Sequence, residues 1–196
     1  MRFIALLLLL FITSALAADD NHDIEKAVGA FYKTYLEVQP SGVPCGNEEQ
    51  KFRPHLSASL SSLLKWAGQA EQRYDRATKG IPPLVEGDIF TSLFEGAAAF
   101  KVLSCERKTA AGSCWVQFTY VDPGDKSSFN WKDKVHLIKD SRGWLVDDIE
   151  FFGDWESANK GRLKDILRRV IDEGDKINRL ARHSPRRQKS TEKPHG

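Results

Sequence analysis

Two aspartates interrupt otherwise apolar faces. In residues 129–139 the alternate side chains Phe129, Trp131, Asp133, Val135 and Leu137 are apolar except for Asp133. In 143–152 the alternate set Leu145, Asp147, Ile149 and Phe151 is apolar except for Asp147. A period of two marks a half-buried strand. If both faces point inward, the DSRG connection brings Asp147 opposite Val135 or Leu137, two to four places from Asp133. Two carboxylates on one apolar surface raise each other's pKa and lose hydration, which is how a general base is tuned. Tyr120, on the alternating face Cys114, Val116, Phe118, Tyr120, completes an acid/base set. The plainer reading outweighs this one: a buried carboxylate is usually satisfied by backbone N–H groups, Tyr or Trp.

A second group of carboxylates, Glu86, Asp88 and Glu95, lies in the segment EGDIFTSLFEG, residues 86–96. These residues either line the rim of a pocket or cap their own backbone while Ile89, Phe90, Leu93 and Phe94 plug the core. Ser92 and Glu95 have the spacing of a capping box, and with Gly96 as a stop they predict one helical turn here. No G-x-S-x-G, H-E-x-x-H or glycine-rich phosphate loop occurs. Three cysteines and five scattered histidines make no metal-ligand pattern, so no cofactor or metal is expected. His55 and His136 read as surface residues.

The elements that would position these groups follow from periodicity. Ile24, Ala27, Val28, Phe31, Tyr35 and Val38 form one stripe of a helix over 22–38. Leu56, Leu60, Leu63, Leu64, Ala67, Ala70 and Tyr74 form another over 55–78, with Pro54 just ahead and Gly80, Pro82 and Pro83 as stops. Strands are predicted at 98–107, 113–122, 129–139 and 143–152, and a last helix at about 159–182 with a weak point or bend at Gly174. The expected fold is α+β: two N-terminal helices packed on a curved antiparallel sheet of about four strands, then a C-terminal helix. A turn centred between Thr109 and Ala110 sets Cys105 opposite Cys114, so these two either bridge or pack as buried thiols. Cys45 is left over in a Gly/Pro-rich loop, either free or joining two chains.

Met1-Arg2, the apolar run Phe3 to Ile12 and the triplet Ala15-Leu16-Ala17 have the three parts of a secretory signal peptide, cleaved after Ala17. The run is too short for a bilayer span, and Ala18 rather than Cys follows the site, so a periplasmic protein that is not a lipoprotein is expected. Residues 18–182 then form one domain and 183–196 a disordered basic tail. The net charge of +2 conceals a division: Lys160 onward carries 12 Lys+Arg against 5 Asp+Glu, whereas Ala18 to Asn159 carries 16 against 22. The basic end could touch an anionic surface weakly, but its acidic residues and lack of Trp or Phe argue against a membrane helix.

FYKTYL (31–36), PHLSASL (54–60), EGDIFTSLFEG, a W-x-D-x-V-x-L strand (131–137) and GWLVDDIEF (143–151) together resemble an uncharacterised family of small exported bacterial proteins. That family is a domain of unknown function whose α+β cone is similar to nuclear-transport-factor-like (cystatin-like) folds. The resemblance covers roughly residues 22–172 and implies a cavity between helix and sheet, but no reaction. The sequence reads as a non-enzymatic binding module for a protein or small apolar ligand, with no nucleic acid and no membrane span. The alternative is a lyase, isomerase or hydrolase with a pocket carboxylate as base.

Overall fold

The computed structural model describes residues 3–79 and 83–183, and for residues 3–20, 178 and 181–183 the backbone course only. Met1-Arg2, the expected stops Gly80 and Pro82, and the tail beyond His183 lie outside the described residues. The fold is α+β. Helix α1 (Phe3–Val38) is followed by α2 (Asn47–Phe52), a 3-10 turn (Arg53–His55) and α3 (Ala58–Thr78). Strands β1 (Ala99–Lys108), β2 (Ala111–Val121), β3 (Ser128–Asp140) and β4 (Gly143–Phe151) come next, then the two-residue β5 (Gly161–Arg162) and α4 (Leu163–His183). The strands form one antiparallel sheet in chain order, one strand more than expected.

Helix α1 extends beyond the expected start at residue 22 because nothing before Gly29 breaks it: residues 3–28 contain neither Gly nor Pro. Its stripe Ile24, Val28, Phe31, Tyr32 and Tyr35 is buried against the sheet. The second predicted helix divides. Pro54 sits in the 3-10 turn, and Leu56 is extended and bridges Val146 of β4 in parallel. Ser57 then caps α3, its Oγ accepting from Leu60 N at 3.0 Å. The competing strand contact and this cap delay the helix to Ala58.

Where the family resemblance implies a cavity between α1 and the sheet, aromatic rings pack the middle of that space. Tyr32 meets Phe118 at 4.9 Å between ring centroids, Phe31 meets Phe90 at 5.4 Å, and Phe118 stacks on Trp131 at 5.5 Å. Such edge-to-face and offset contacts add to the burial of large rings. Helices α3 and α4 lie side by side, and α4 is continuous through Gly174. A Cβ there would come within 3.0 Å of the Ala70 side chain and 3.1 Å of its carbonyl oxygen. The glycine therefore serves close packing of the two helices.

Cys105 and Cys114 face each other in the β1–β2 register and form a disulfide, while Cys45 is free and exposed. The bridge closes a loop of nine residues' separation. Such a loop corresponds to about 2–3 kcal/mol of unfolded-state entropy. Urea unfolding of the Cys105→Ala/Cys114→Ala double variant should show a loss of about 2 kcal/mol with the β1–β2 register intact; an unchanged midpoint would contradict this.

Candidate functional site

Asp133 stands on the inward face of β3, opposite Val116, and has no solvent exposure. Four hydrogen bonds converge on it. Oδ1 accepts from the Ser92 hydroxyl and from Phe152 N (2.9 Å), and Oδ2 accepts from Ser92 N (2.8 Å) and Trp131 Nε1 (3.1 Å). Ser92 Oγ in turn accepts from Gly153 N at 2.9 Å. Burial raises the Asp133 pKa, and these hydrogen bonds pull it back down. Every lone pair aimed at a neighbour is used, as the plainer reading of the sequence expects for a carboxylate on an apolar face.

Asp147 does not join it. His136 pairs with Asp148 and Leu137 with Val146, so Asp147 is the extra residue of a β-bulge. The bulge resets the alternation that places Asp147 with Leu145 and Ile149. Its carboxylate instead accepts from Ser57 Oγ (2.6 Å) and pairs with Lys164 Nζ (2.7 Å), tying β4 to the starts of α3 and α4. Its neighbour Asp148 accepts from Lys164 N at 3.1 Å, a cap on α4 supplied from another element. Tyr120 keeps the inward face but sits opposite Phe129, rings 5.7 Å apart, four places along β2 from the partner of Asp133. Its pKa is raised by desolvation and then by Asp122, Glu95 and Asp125. The three residues thus form no common acid/base set.

The predicted rim residues do come together. The segment from Pro83 to Ala98 forms no helix, but one hydrogen-bonded turn ends at Gly96, whose N donates to Leu93 O at 3.0 Å; the capping-box serine is taken by Asp133, and Glu95 is exposed. Asp88, 4% exposed, organises this loop from within. Its Oδ1 accepts from Phe90 N (2.7 Å), and its Oδ2 accepts from Thr91 Oγ1 (2.6 Å) and Tyr35 Oη (2.7 Å). The Tyr35 oxygen also accepts from Ala97 N at 2.8 Å. Asn159 clamps the loop from outside, donating to the carbonyls of Asp88 (2.8 Å) and Thr91 (2.7 Å). Ile89, Phe90 and Leu93 plug the core as expected, but Phe94 turns outward and is 48% exposed. Gly87, at φ +71°, has no room for a Cβ: Phe94 atoms would lie 2.5–2.7 Å away.

Beside this loop lies a cleft of about 680 Å³. Its walls come from Tyr35 of α1, the segment Gln39–Val43 after it, Glu71 of α3, and Val85–Asp88 with Phe94–Ala97. Sequence reasoning missed Glu71 and Tyr35: one is an unremarkable position on a helix, and the other reads as one more ring in an apolar stripe. Glu71 Oε1 accepts from Leu84 N at 2.7 Å, while its Oε2 has no hydrogen-bond partner among the described residues. Desolvation raises the Glu71 pKa, backbone bonding opposes this, and Asp75 adds to it. His55 and His136, expected at the surface, are both partly buried and engaged with Thr34 (3.0 Å) and Glu150 (2.9 Å). Among the described residues no group of three or more His, Cys, Asp or Glu is placed to hold a metal ion.

Burial pushes Asp88 up to about 6, its three hydrogen bonds restrain the rise, and Asp133 adds to it. The folded chain therefore holds this proton more tightly than the unfolded one. The corresponding stability is fully present below the ordinary Asp pKa and is lost as pH rises through 6. Relative to Asp88→Asn, the wild type should lose on the order of 2–3 kcal/mol between pH 4 and pH 7 in urea melts, at about 1.4 kcal/mol per pKa unit. A pH-independent difference would show that Asp88 does not titrate in this range. No protein-family model matches the chain, and no curated protein matches its sequence.

Proposed function

We propose that this chain is an exported, non-enzymatic binding module, and that the cleft beside the Pro83–Ala98 loop is its ligand site. The observation carrying this reading is that the loop is held to a fixed shape by polar contacts from α1, β3 and Asn159 while one side of it stays open. Asp88 alone takes three donors, and the backbone of Asp88 and Gly42 is further pinned by Phe94 O (2.8 Å) and Gly87 O (2.6 Å). A concave site of this volume, pre-shaped by its scaffold, is what small-ligand recognition requires. The carboxylates on its walls favour a polar ligand over the small apolar one expected from the sequence.

Export rests on the signal-like start, with cleavage after Ala17. In support, the disulfide suits an oxidising compartment. No helix among the described residues is long and apolar enough to cross a membrane. Membership of the exported family of unknown function belongs to the same reading and rests on the motifs in 31–36, 54–60, 86–96, 131–137 and 143–151. The alternative, a lyase, isomerase or hydrolase, gains one observation: Asp88, near neutrality in its pKa, lines the cleft. It is the less favoured because both Asp88 oxygens already accept hydrogen bonds.

Ser41 is exposed and lines the cleft, so Ser41→Trp should obstruct it without touching the core. Native mass spectrometry of the protein purified from the exported fraction should show a bound small molecule on the wild type and not on Ser41→Trp. An adduct that survives the substitution, or a wild type that never carries one, would count against the cleft.

A further inference from the structure

We infer that the outer face of the sheet docks an acidic segment of a partner protein, one whose carboxylates flank an apolar anchor. This face is on the side of the sheet away from α1 and is separate from the cleft. On β2 and β3 the alternate side chains Cys114, Val116, Phe118, Trp131, Asp133 and Val135 are buried on the α1 side. The opposite set, with Trp115, Gln117, Asn130, Lys132 and Lys134, is half-buried or exposed throughout, so no described element covers it.

An apolar strip crosses this face. Trp115 stands in its middle, with the Phe152 ring against it at 4.8 Å between centroids. On the β1 side the partner strand is bulged: Val102 pairs with Val116 and Ser104 with Trp115, leaving Leu103 as the extra residue. Leu103 is 38% exposed and Phe152 47%. Apolar surface rimmed by polar groups is what an interaction site presents. A tryptophan already held by its neighbours also loses little freedom on binding.

The rim is cationic. Lys101, Gln117 and Lys132 form one row across β1, β2 and β3, and Lys134 pairs with Trp115 in the next, its Nζ 5.4 Å from the indole centroid. Among the described residues Lys101 and Lys132 form no ion pair. The carboxylates of β4 on this side, Asp148 and Glu150, are taken by Arg162, and Glu150 also by His136. Glu106 and the turn from Asp122 to Asp125 lie toward the two ends of β2, outside these rows. The charge left to face a partner across the strip is therefore positive, and the complementary partner is acidic. Lys101 and Lys132 stand two strands apart, about 10 Å, within reach of carboxylates on one segment.

Two other anionic partners fit this face less well. A sugar chain stacks on an open aromatic face, whereas the Trp115 indole already holds Lys134 and the Phe152 ring against it. A bilayer is entered by apolar side chains that stand above their surroundings, whereas this strip lies between lysines with longer side chains.

The test measures binding of synthetic peptides to the mature full chain at low salt, by fluorescence anisotropy and amide chemical shifts. The probe has a central Leu-Phe-Leu with Asp and Glu on both sides; one control replaces the apolar residues with Ser, another the acidic residues with Lys. The probe should move the Trp115, Gln117 and Lys132 amides saturably with a Kd below about 0.1 mM, and salt at about 0.5 M should weaken it about tenfold. Both controls should bind at least about tenfold more weakly. Lys101→Glu/Lys132→Glu should weaken the probe about tenfold and Phe152→Ser about fivefold. All three positions are exposed, so these substitutions spare the core. Lys51→Glu on α2 and Ser41→Trp in the cleft should leave binding unchanged. A probe that does not bind, or whose binding ignores the lysine pair, overturns the inference. A loss caused by Ser41→Trp overturns it too, since the peptide would then occupy the cleft. Phosphatidylglycerol vesicles or heparin binding this face as tightly as the probe would overturn the assignment to an acidic protein segment.

Discussion

A carboxylate buried on the concave face of the sheet constrains much of this molecule. Asp133 cannot remain there as an anion without donors, because an unpaired buried charge costs several kcal/mol or more. Its donors come from three places in the chain: Trp131 on its own strand, the Ser92 hydroxyl and amide from the loop before β1, and the Phe152 amide just after β4. Meeting that demand fixes where the loop crosses the sheet end and where the chain leaves β4. Gly153 follows from the same contact, since a Cβ there would lie 2.7 Å from that of Ser92. Hydrogen bonds to a charged group contribute about 1.5–3 kcal/mol each, much of which the desolvation of the carboxylate offsets. The net contribution of Asp133 is therefore mainly to uniqueness of arrangement and less to total stability.

The cleft depends on that arrangement at one remove. The loop that Ser92 anchors also carries Asp88, and Asp88 binds the loop to Tyr35 on α1. Two buried carboxylates thus stand in series, each raising the pKa of its surroundings, and both are made tolerable by donors from other elements. The charge division of the chain has a related structural role. The acidic run Asp147, Asp148 and Glu150 in β4 meets Arg162 of β5 and Lys164 at the start of α4. Part of the basic end therefore docks its own helix against the sheet and is not free to reach outward.

The strands were legible because each ends at a strong turn signal, and the Cys105–Cys114 register follows from one of those turns. The apolar stripes of α1 and α3 were legible for the same reason that helices form at all: one face must be buried. Asp133 stood out as a charge on an apolar face, and Trp131, two residues away on the same face, is the one partner that strand alternation could have named. Ser92 was misread because its spacing to Glu95 matches a capping box, and only the fold shows that a long-range carboxylate claims it. Asp147 was misplaced because a bulge shifts alternation by one residue, and no residue type in GWLVDDIEF marks it. The cleft was half visible, through Glu86, Asp88 and Glu95. Glu71 and Tyr35 reach it only through packing between elements far apart in sequence.

The claim that Asp133 fixes the loop and the exit of β4 is tested most directly by amide hydrogen exchange in the near-isosteric Asp133→Asn. The account predicts that the Ser92, Phe152 and Gly153 amides lose protection together, about tenfold or more, while amides in the β2–β3 ladder and in α1 around Phe31 keep theirs, as expected for a local opening below the global one. Unchanged protection at Ser92 and Phe152, or an equal loss throughout the core, would contradict it.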